Sequence, residues 1–347
     1  MSLVLPTEDW PEADWAMWTA LRAQGGPLDD RGALAHLRAT SLKTLRIRYG
    51  RWLGWLSRTE PDALSLSPTE RADLPRLEAW LEDLAHTAPM TRLMFVEGVI
   101  RVLSAAAPDA DWVMHRRLRG ALKRDAGRGD PARKRGRIVS TKVLLEAGLR
   151  HAGPHADAAA TPLEAMKRRR DGTMIALLAL MPMRRRSFCE LTLGQSVLLM
   201  EDEIIISLSE EMTKTGVAWE APVPPQVEPV LRRYIEDVRP YLMARGNQDH
   251  ARLWVGKKGE VIGQNHLGSR ISDLTLQLTG KRIPPHFFRD AAATTLARLS
   301  PDAARLIRPV LGHAGFQTAE RHYIHAKTIE AGRDYAALVK SLKGRKS

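Results

Sequence analysis

Between residues 41 and 106 apolar side chains return every three or four positions, and that spacing commits this stretch of chain to helices. Ser41 to Ser57 carries Leu45, Tyr49, Trp52, Leu53 and Leu56 on one stripe, with Arg46, Arg48 and Arg51 between them. Trp55 falls at the flank of that stripe. Pro75 to Ala85 repeats the pattern with Leu77, Trp80, Leu81 and Leu84, and Met90 to Ala106 repeats it with Met94, Val99, Val102 and Leu103. A fourth, strongly basic helix is expected over Trp112 to Lys123. Because Trp52 and Trp80 lie on apolar stripes, they read as core rather than as surface platforms for stacking bases.

The pattern stops at Ala126. The run AGRGDPARKRGR, to Arg137, contains Gly and Pro, is densely basic and has no periodicity, so it reads as an interdomain linker. As a functional element it would be a strap lying along a phosphate backbone, and as a bland one a solvated loop. The expected organisation is a helical domain over 1–125, a basic linker over 126–139 and a second domain over 140–347. Helical patterns at about 140–151 and 162–181 open the second domain. Two short strands follow, Val197 to Met200 and Ile204 to Leu208, then a third near Ala218 to Val223. Helices resume at Val227 to Met243, Asn265 to Leu278, Pro285 to Arg298 and Pro301 to Leu311. The fold class is therefore mainly α: an all-helical first domain, and a helical second domain with a small three-stranded antiparallel sheet.

Charge narrows the partner. The chain of 347 residues has a formal net charge of +13, with Arg predominating, which favours nucleic acid first and an anionic membrane surface second. Arg presents a planar fork of donors that matches phosphate oxygens in pairs. The longest apolar stretch, around Met174 to Met183, is far short of the roughly 20 residues of a membrane span. The opening MSLVLPTEDW lacks the basic-then-apolar run of a signal peptide. A single cysteine, Cys189, excludes an internal disulfide framework and suits a reducing interior. These features together lead us to expect a soluble, cytoplasmic protein. No glycine-rich phosphate loop and no metal-ligand cluster is visible, so neither a cofactor nor a metal is expected.

The chemistry-bearing residues are scattered. PPHFFRDAAAT places His286 and Arg289 three apart at a helix start, on one face. LIRPVLGHAGFQTAERHYIHA puts His313 after a Leu-Gly turn and Tyr323 ten residues later. Arg184 opens a helix after Pro182, with Phe188 and Leu191 following at buried spacing. Lys214 sits between two threonines at a hairpin tip. Singly these are weak signals, and a lone hairpin lysine is ordinarily a solvated edge charge. Taken together, Arg184, Lys214, His286, Arg289, His313 and Tyr323 supply what metal-free phosphodiester transesterification needs. A phenol oxygen attacks phosphorus. Guanidiniums and a His donor offset charge on the non-bridging oxygens. A Lys protonates the departing 5′ oxygen, and a His accepts the phenol proton.

On these segments the chain resembles the tyrosine recombinase (phage integrase) family. Pro182-Met183-Arg184 matches the first arginine box and Thr213-Lys214-Thr215-Gly216 the hairpin lysine. His286-Phe287-Phe288-Arg289 matches the second box, and Leu311-Gly312-His313 with Arg321-His322-Tyr323 the last. The resemblance implies site-specific cleavage and rejoining of double-stranded DNA through a 3′-phosphotyrosine on Tyr323, in the service of a mobile element. It implies that Arg184, Lys214, His286, Arg289 and His313 surround the scissile phosphate. It also implies that the first domain is a core-binding DNA clamp, that four protomers act on two duplexes, and that a C-terminal segment docks on a neighbour. Ala326 to Lys343, with Ile329, Ala336, Leu338 and Val339, is the expected docking helix.

Two positions depart from the family pattern. Ser187 stands where an acidic residue is common, three after the first arginine, and the nearest acid is Glu190. Tyr323 lies ten residues past His313 instead of nine, with His322 in the ninth place. Two other readings remain: a catalytically silent DNA-binding protein of the same fold, and a type IB-like topoisomerase acting without site preference.

Overall fold

The computed structural model describes residues 3–26, 30–127, 139–214 and 216–299, together with 332, 334, 335, 337, 338 and 340. The chain divides into two compact units, Met1–Pro131 and Ala132–Ser347. The expected helix at Pro301 to Leu311 and most of the expected linker and docking helix lie outside the described residues.

The first unit is helical: α1 (Glu12–Leu21), α2 (Ala39–Thr59), α3 (Leu74–Asp83), α4 (Pro89–Ala106) and α5 (Val113–Ala126). The apolar stripes of α2, α3 and α4 meet in one core that includes Tyr49, Trp52, Leu53, Leu77, Trp80, Val99 and Leu103. Trp52 and Trp80 are fully buried, 5.1 Å apart between ring centres. Trp55 is buried too and stacks on Trp52 at 5.3 Å. A buried ion pair ties distant segments: Arg71 Nη1 donates to Asp14 Oδ2 at 2.6 Å, and the Tyr49 hydroxyl donates to Asp14 Oδ1 at 2.5 Å. Helix α5 has no buried residue and carries Arg116, Arg117, Arg119, Lys123 and Arg124.

The second unit opens with α6 (Thr141–Ala152), a short α7 (Pro154–Asp157) and the long α8 (Pro162–Leu180). Its core side is continuous from Met174 to Leu180, which is why this run reads as the most apolar in the sequence. Helices α6 and α8 pack backbone to backbone through glycine. A Cβ on Gly172 would lie 2.4 Å from the Ala152 nitrogen, and one on Gly148 would lie 2.6 Å from the Ala176 nitrogen. After α9 (Arg185–Cys189) come β1 (Val197–Leu199), β2 (Ile204–Leu208) and β3 (Trp219–Pro222), antiparallel in the order β1-β2-β3. The register pairs Val197 with Ile206 and Ile206 with Ala221. In β2, Ile204, Ile206 and Leu208 alternate inward, the period-2 pattern of a sheet with one buried face.

The helix expected over Val227 to Met243 forms as α10 (Glu228–Arg233), a π turn at Tyr234–Val238 and α11 (Arg239–Ala244). The widened turn lies just before Pro240, whose ring clashes with a carbonyl four residues back in a regular helix. Helices α12 (Gln264–Thr279) and α13 (Pro285–Leu299) complete the described body. Further along, Tyr335 is buried in this same core, its hydroxyl within 3.1 Å of Thr141 Oγ1 and 3.0 Å of the Ala179 carbonyl. Leu338 packs beside it. Among the described residues no helix is long and apolar enough to cross a membrane.

Candidate active site

The first arginine is placed by what is buried behind it. Met181 and Met183 are in the core, and the chain between α8 and α9 turns tightly at Pro182, with the Met183 amide donating to the Met181 carbonyl at 2.7 Å. Arg184 is the residue before α9, in β conformation, and its carbonyl accepts from the Phe188 amide at 2.9 Å. Phe188 and Leu191 are fully buried, Phe188 against Trp254 at 4.9 Å. Arg184 is thereby held at the rim of the core, half-buried. Arg185 and Arg186 are exposed, and Arg186 pairs with Glu190 at 3.0 Å on the outside of the helix.

The second box sits at the start of α13. Pro285 begins the helix, Phe287 and Phe288 are buried, and His286 and Arg289 share the opposite side. The Arg289 guanidinium donates from Nη1 to the Pro182 carbonyl at 2.8 Å, across 107 positions of sequence. That bond brings the two arginine boxes together. Burial pushes the Arg289 guanidinium down to about 10, and the like charge of Arg184 adds to the effect, with Asp290 offsetting part of it. Arg184 is lowered in turn by burial. Two cations forced into one partly desolvated place form a site whose electrostatics call for an anion.

His286 is exposed, its ring 4.6 Å from that of Phe287 and nearly perpendicular to it. Lys214 is exposed in the loop between β2 and β3. Gly216, with φ of 68°, turns the chain just beyond it, in a region where a side chain would be strained. Thr213 is buried, and its hydroxyl accepts from the Val217 amide at 3.2 Å and donates to the Glu210 carbonyl at 3.1 Å. The loop is joined to α9 by Ser187, whose hydroxyl donates to the Met212 carbonyl at 2.7 Å. In the sequence Ser187 reads only as a missing acid. The signal it does carry is position: one helical turn past Arg184, beside a buried phenylalanine, a hydroxyl faces inward and must find a partner.

Of the six expected residues, the structure brings Arg184 and Arg289 together, sets His286 one turn from Arg289, and links the Lys214 loop to the Arg184 helix. His313 and Tyr323 lie outside the described residues. Among the described residues no group of three or more His, Cys, Asp or Glu side chains is placed to hold a metal ion.

Residues 156–329 match the family model described as the phage integrase family. Among solved structures, the chain is similar to the XerH site-specific recombinase bound to its difH substrate in a pre-cleavage complex. That similarity has a TM-score of 0.56 at 15% identity and covers 90% of this chain and 94% of that one. A post-cleavage complex of XerH on palindromic difH gives 0.52 at 15% identity, covering 94% and 98%. At this identity the likeness shows a shared fold, helical first unit included. A comparison with curated proteins found no match.

Proposed function

This chain belongs to the phage integrase family, and on that premise we propose that it cuts and rejoins double-stranded DNA at a specific site through a covalent tyrosine link. The observation that carries the proposal is the Arg289 guanidinium bonded to the Pro182 carbonyl, two residues before Arg184, with Arg289 driven down by burial and by the like charge of Arg184. A phosphodiester seated between them relieves that repulsion, and the dianionic character of a pentavalent transition state relieves it further.

In this reading Tyr323 is the nucleophile. Its oxygen forms the new bond to phosphorus as the bond from phosphorus to the 5′ oxygen breaks, leaving a 3′-phosphotyrosine. The phenol proton passes to a neighbouring histidine, and Lys214 gives a proton to the 5′ oxygen. Arg184, Arg289 and one of His286 and His313 donate to the non-bridging oxygens. Attack by a 5′ hydroxyl of a second strand reverses each transfer, so no external energy source is needed. The first unit, with its basic α5, serves as the clamp on the duplex. Four protomers on two duplexes form the working assembly, and a mobile element is the natural context for such an activity.

The test uses a random duplex library nicked near the potential cut, enriched by capture of detergent-resistant protein–DNA adducts. The wild type should form the adduct, and Tyr323→Phe should form none. Arg184→Ala or Arg289→Ala should reduce it by about 10²–10³. An adduct that persists in Tyr323→Phe, or that never forms with the wild type, overturns the proposal.

A further inference from the structure

We propose that Ser187 positions Lys214 for proton delivery by tethering the lysine loop to the arginine helix. The inference rests on the reading of Lys214 as the acid.

Lysine is a point charge on a flexible four-carbon stem, so its aim depends on where the backbone beneath it is held. The loop between β2 and β3 has its own internal bonds. The Met212 amide donates to the Ser209 carbonyl at 3.1 Å, and Thr213 closes the turn on Glu210 and Val217. Those bonds give the loop a shape without orienting it toward the arginines. The bond from Ser187 runs between the loop and α9: a donor three residues after Arg184 meets a carbonyl two residues before Lys214, at 2.7 Å. Ser187 is 3% exposed, so water does not compete well for its hydroxyl. A rigid span of five residues, Arg184 to Phe188, then sets the lysine backbone relative to the phosphate-binding guanidinium.

The partner on the loop is a carbonyl, which accepts. An ionised carboxylate, the type of group common at this position in the family, has no proton to donate to it. The serine is therefore a different solution to placing the same loop, and Ser187→Ala, nearly isosteric, removes the donor without adding bulk.

During cleavage the Tyr323 oxygen bonds to phosphorus, the electron pair of the broken bond goes to the 5′ oxygen, and that oxygen takes the Lys214 ammonium proton. Sulfur in place of the 5′ oxygen leaves as a thiolate, since thiols ionise near pH 8.5, and needs no acid. The experiment measures single-turnover cleavage of the captured site with oxygen or bridging sulfur at the cut. The proteins are the wild type, Lys214→Ala and Ser187→Ala, with DNA binding measured alongside. On the oxygen substrate Ser187→Ala should lose about ten- to a hundredfold, the scale of a catalytic group displaced by about an ångström, with binding unchanged. Lys214→Ala should lose about 10²–10⁴. Sulfur should restore both variants to within a few-fold of the wild type. If sulfur restores Lys214→Ala and leaves Ser187→Ala impaired, or if Ser187→Ala cleaves the oxygen substrate normally, the positioning role is wrong while the acid stands. If sulfur restores neither, the acid assignment falls and the positioning role with it.

Discussion

At the scale of single residues, the site holds a charge arrangement that opposes folding. The folded value of Arg289, about 10, lies below that of an unfolded arginine. The associated penalty is therefore present at every pH below about 10 and is relieved only as pH rises through that value. Arg184→Met removes the like charge while leaving the Arg289 bond to Pro182 in place. It should raise stability on the order of 1 kcal/mol, seen as a higher Tm at pH 7, while abolishing most cleavage. A fall in Tm would show that Arg184 has a compensating partner. His151 has the opposite practical consequence. Buried on α6, it is held at about 4 by desolvation, opposed by Asp171 and helped by His155, Arg168 and Arg270. An unfolded histidine takes its proton near pH 6.5, so stability should decline as pH falls from 6.5 toward 4. His151→Gln should flatten that limb of a Tm-against-pH curve. The two residues differ in how readable they are. Arg184 could be chosen from its sequence context, since the buried spacing of Phe188 and Leu191 excludes Arg185 and Arg186. His151 could not, because its environment comes from α8 and α12.

Elements were legible wherever their own periodicity determined them. The tryptophan stripes of α2 and α3 carry the face they bury, so helix and core follow from spacing. Strand β2 follows from its run of β-branched isoleucines, although that run does not say which face is buried. The one long helix expected over residues 227–243 contains a π turn because Pro240 interrupts the regular ladder, a local effect that apolar spacing does not register. Close approach was equally silent. Gly148 and Gly172 look like indifferent small residues in helical sequence, and their need for glycine comes from the opposing backbone. Gly172→Ala would set a methyl 2.4 Å from the Ala152 nitrogen, where no flexible side chain can give way. The helices must then separate, at a penalty of about 1–3 kcal/mol. Because α13 bonds to α6 through Thr295 and Thr141, the separation should reach the arginine site. Chemical denaturation of the variant should show the lost stability, and unchanged stability would mean that α6 slides without penalty.

At the scale of the whole molecule, charge is the property that composition states most openly and locates least. A surplus of 13 positive charges favours a polyanionic partner, without saying which face would meet it. The structure adds that α5 buries none of its residues, so Arg116, Arg117, Arg119, Lys123 and Arg124 are not there to complete a core. If the first unit clamps the duplex through that helix, its cations displace counterions from the phosphates. Removing one phosphate-bound cation should then lower the slope of log affinity against log salt by about 0.9. Arg116→Ala and Arg119→Ala should therefore weaken binding more at 50 mM than at 200 mM salt, and similarly on captured and unrelated duplexes, because cations on phosphates carry little sequence information. Cleavage of DNA once bound should stay intact, since every residue of the proposed chemistry is in the second unit. A binding isotherm series across salt decides the matter. A slope equal to that of the wild type would place the clamp on another surface of the first unit, and a loss confined to the captured sequence would make α5 a reader of bases instead.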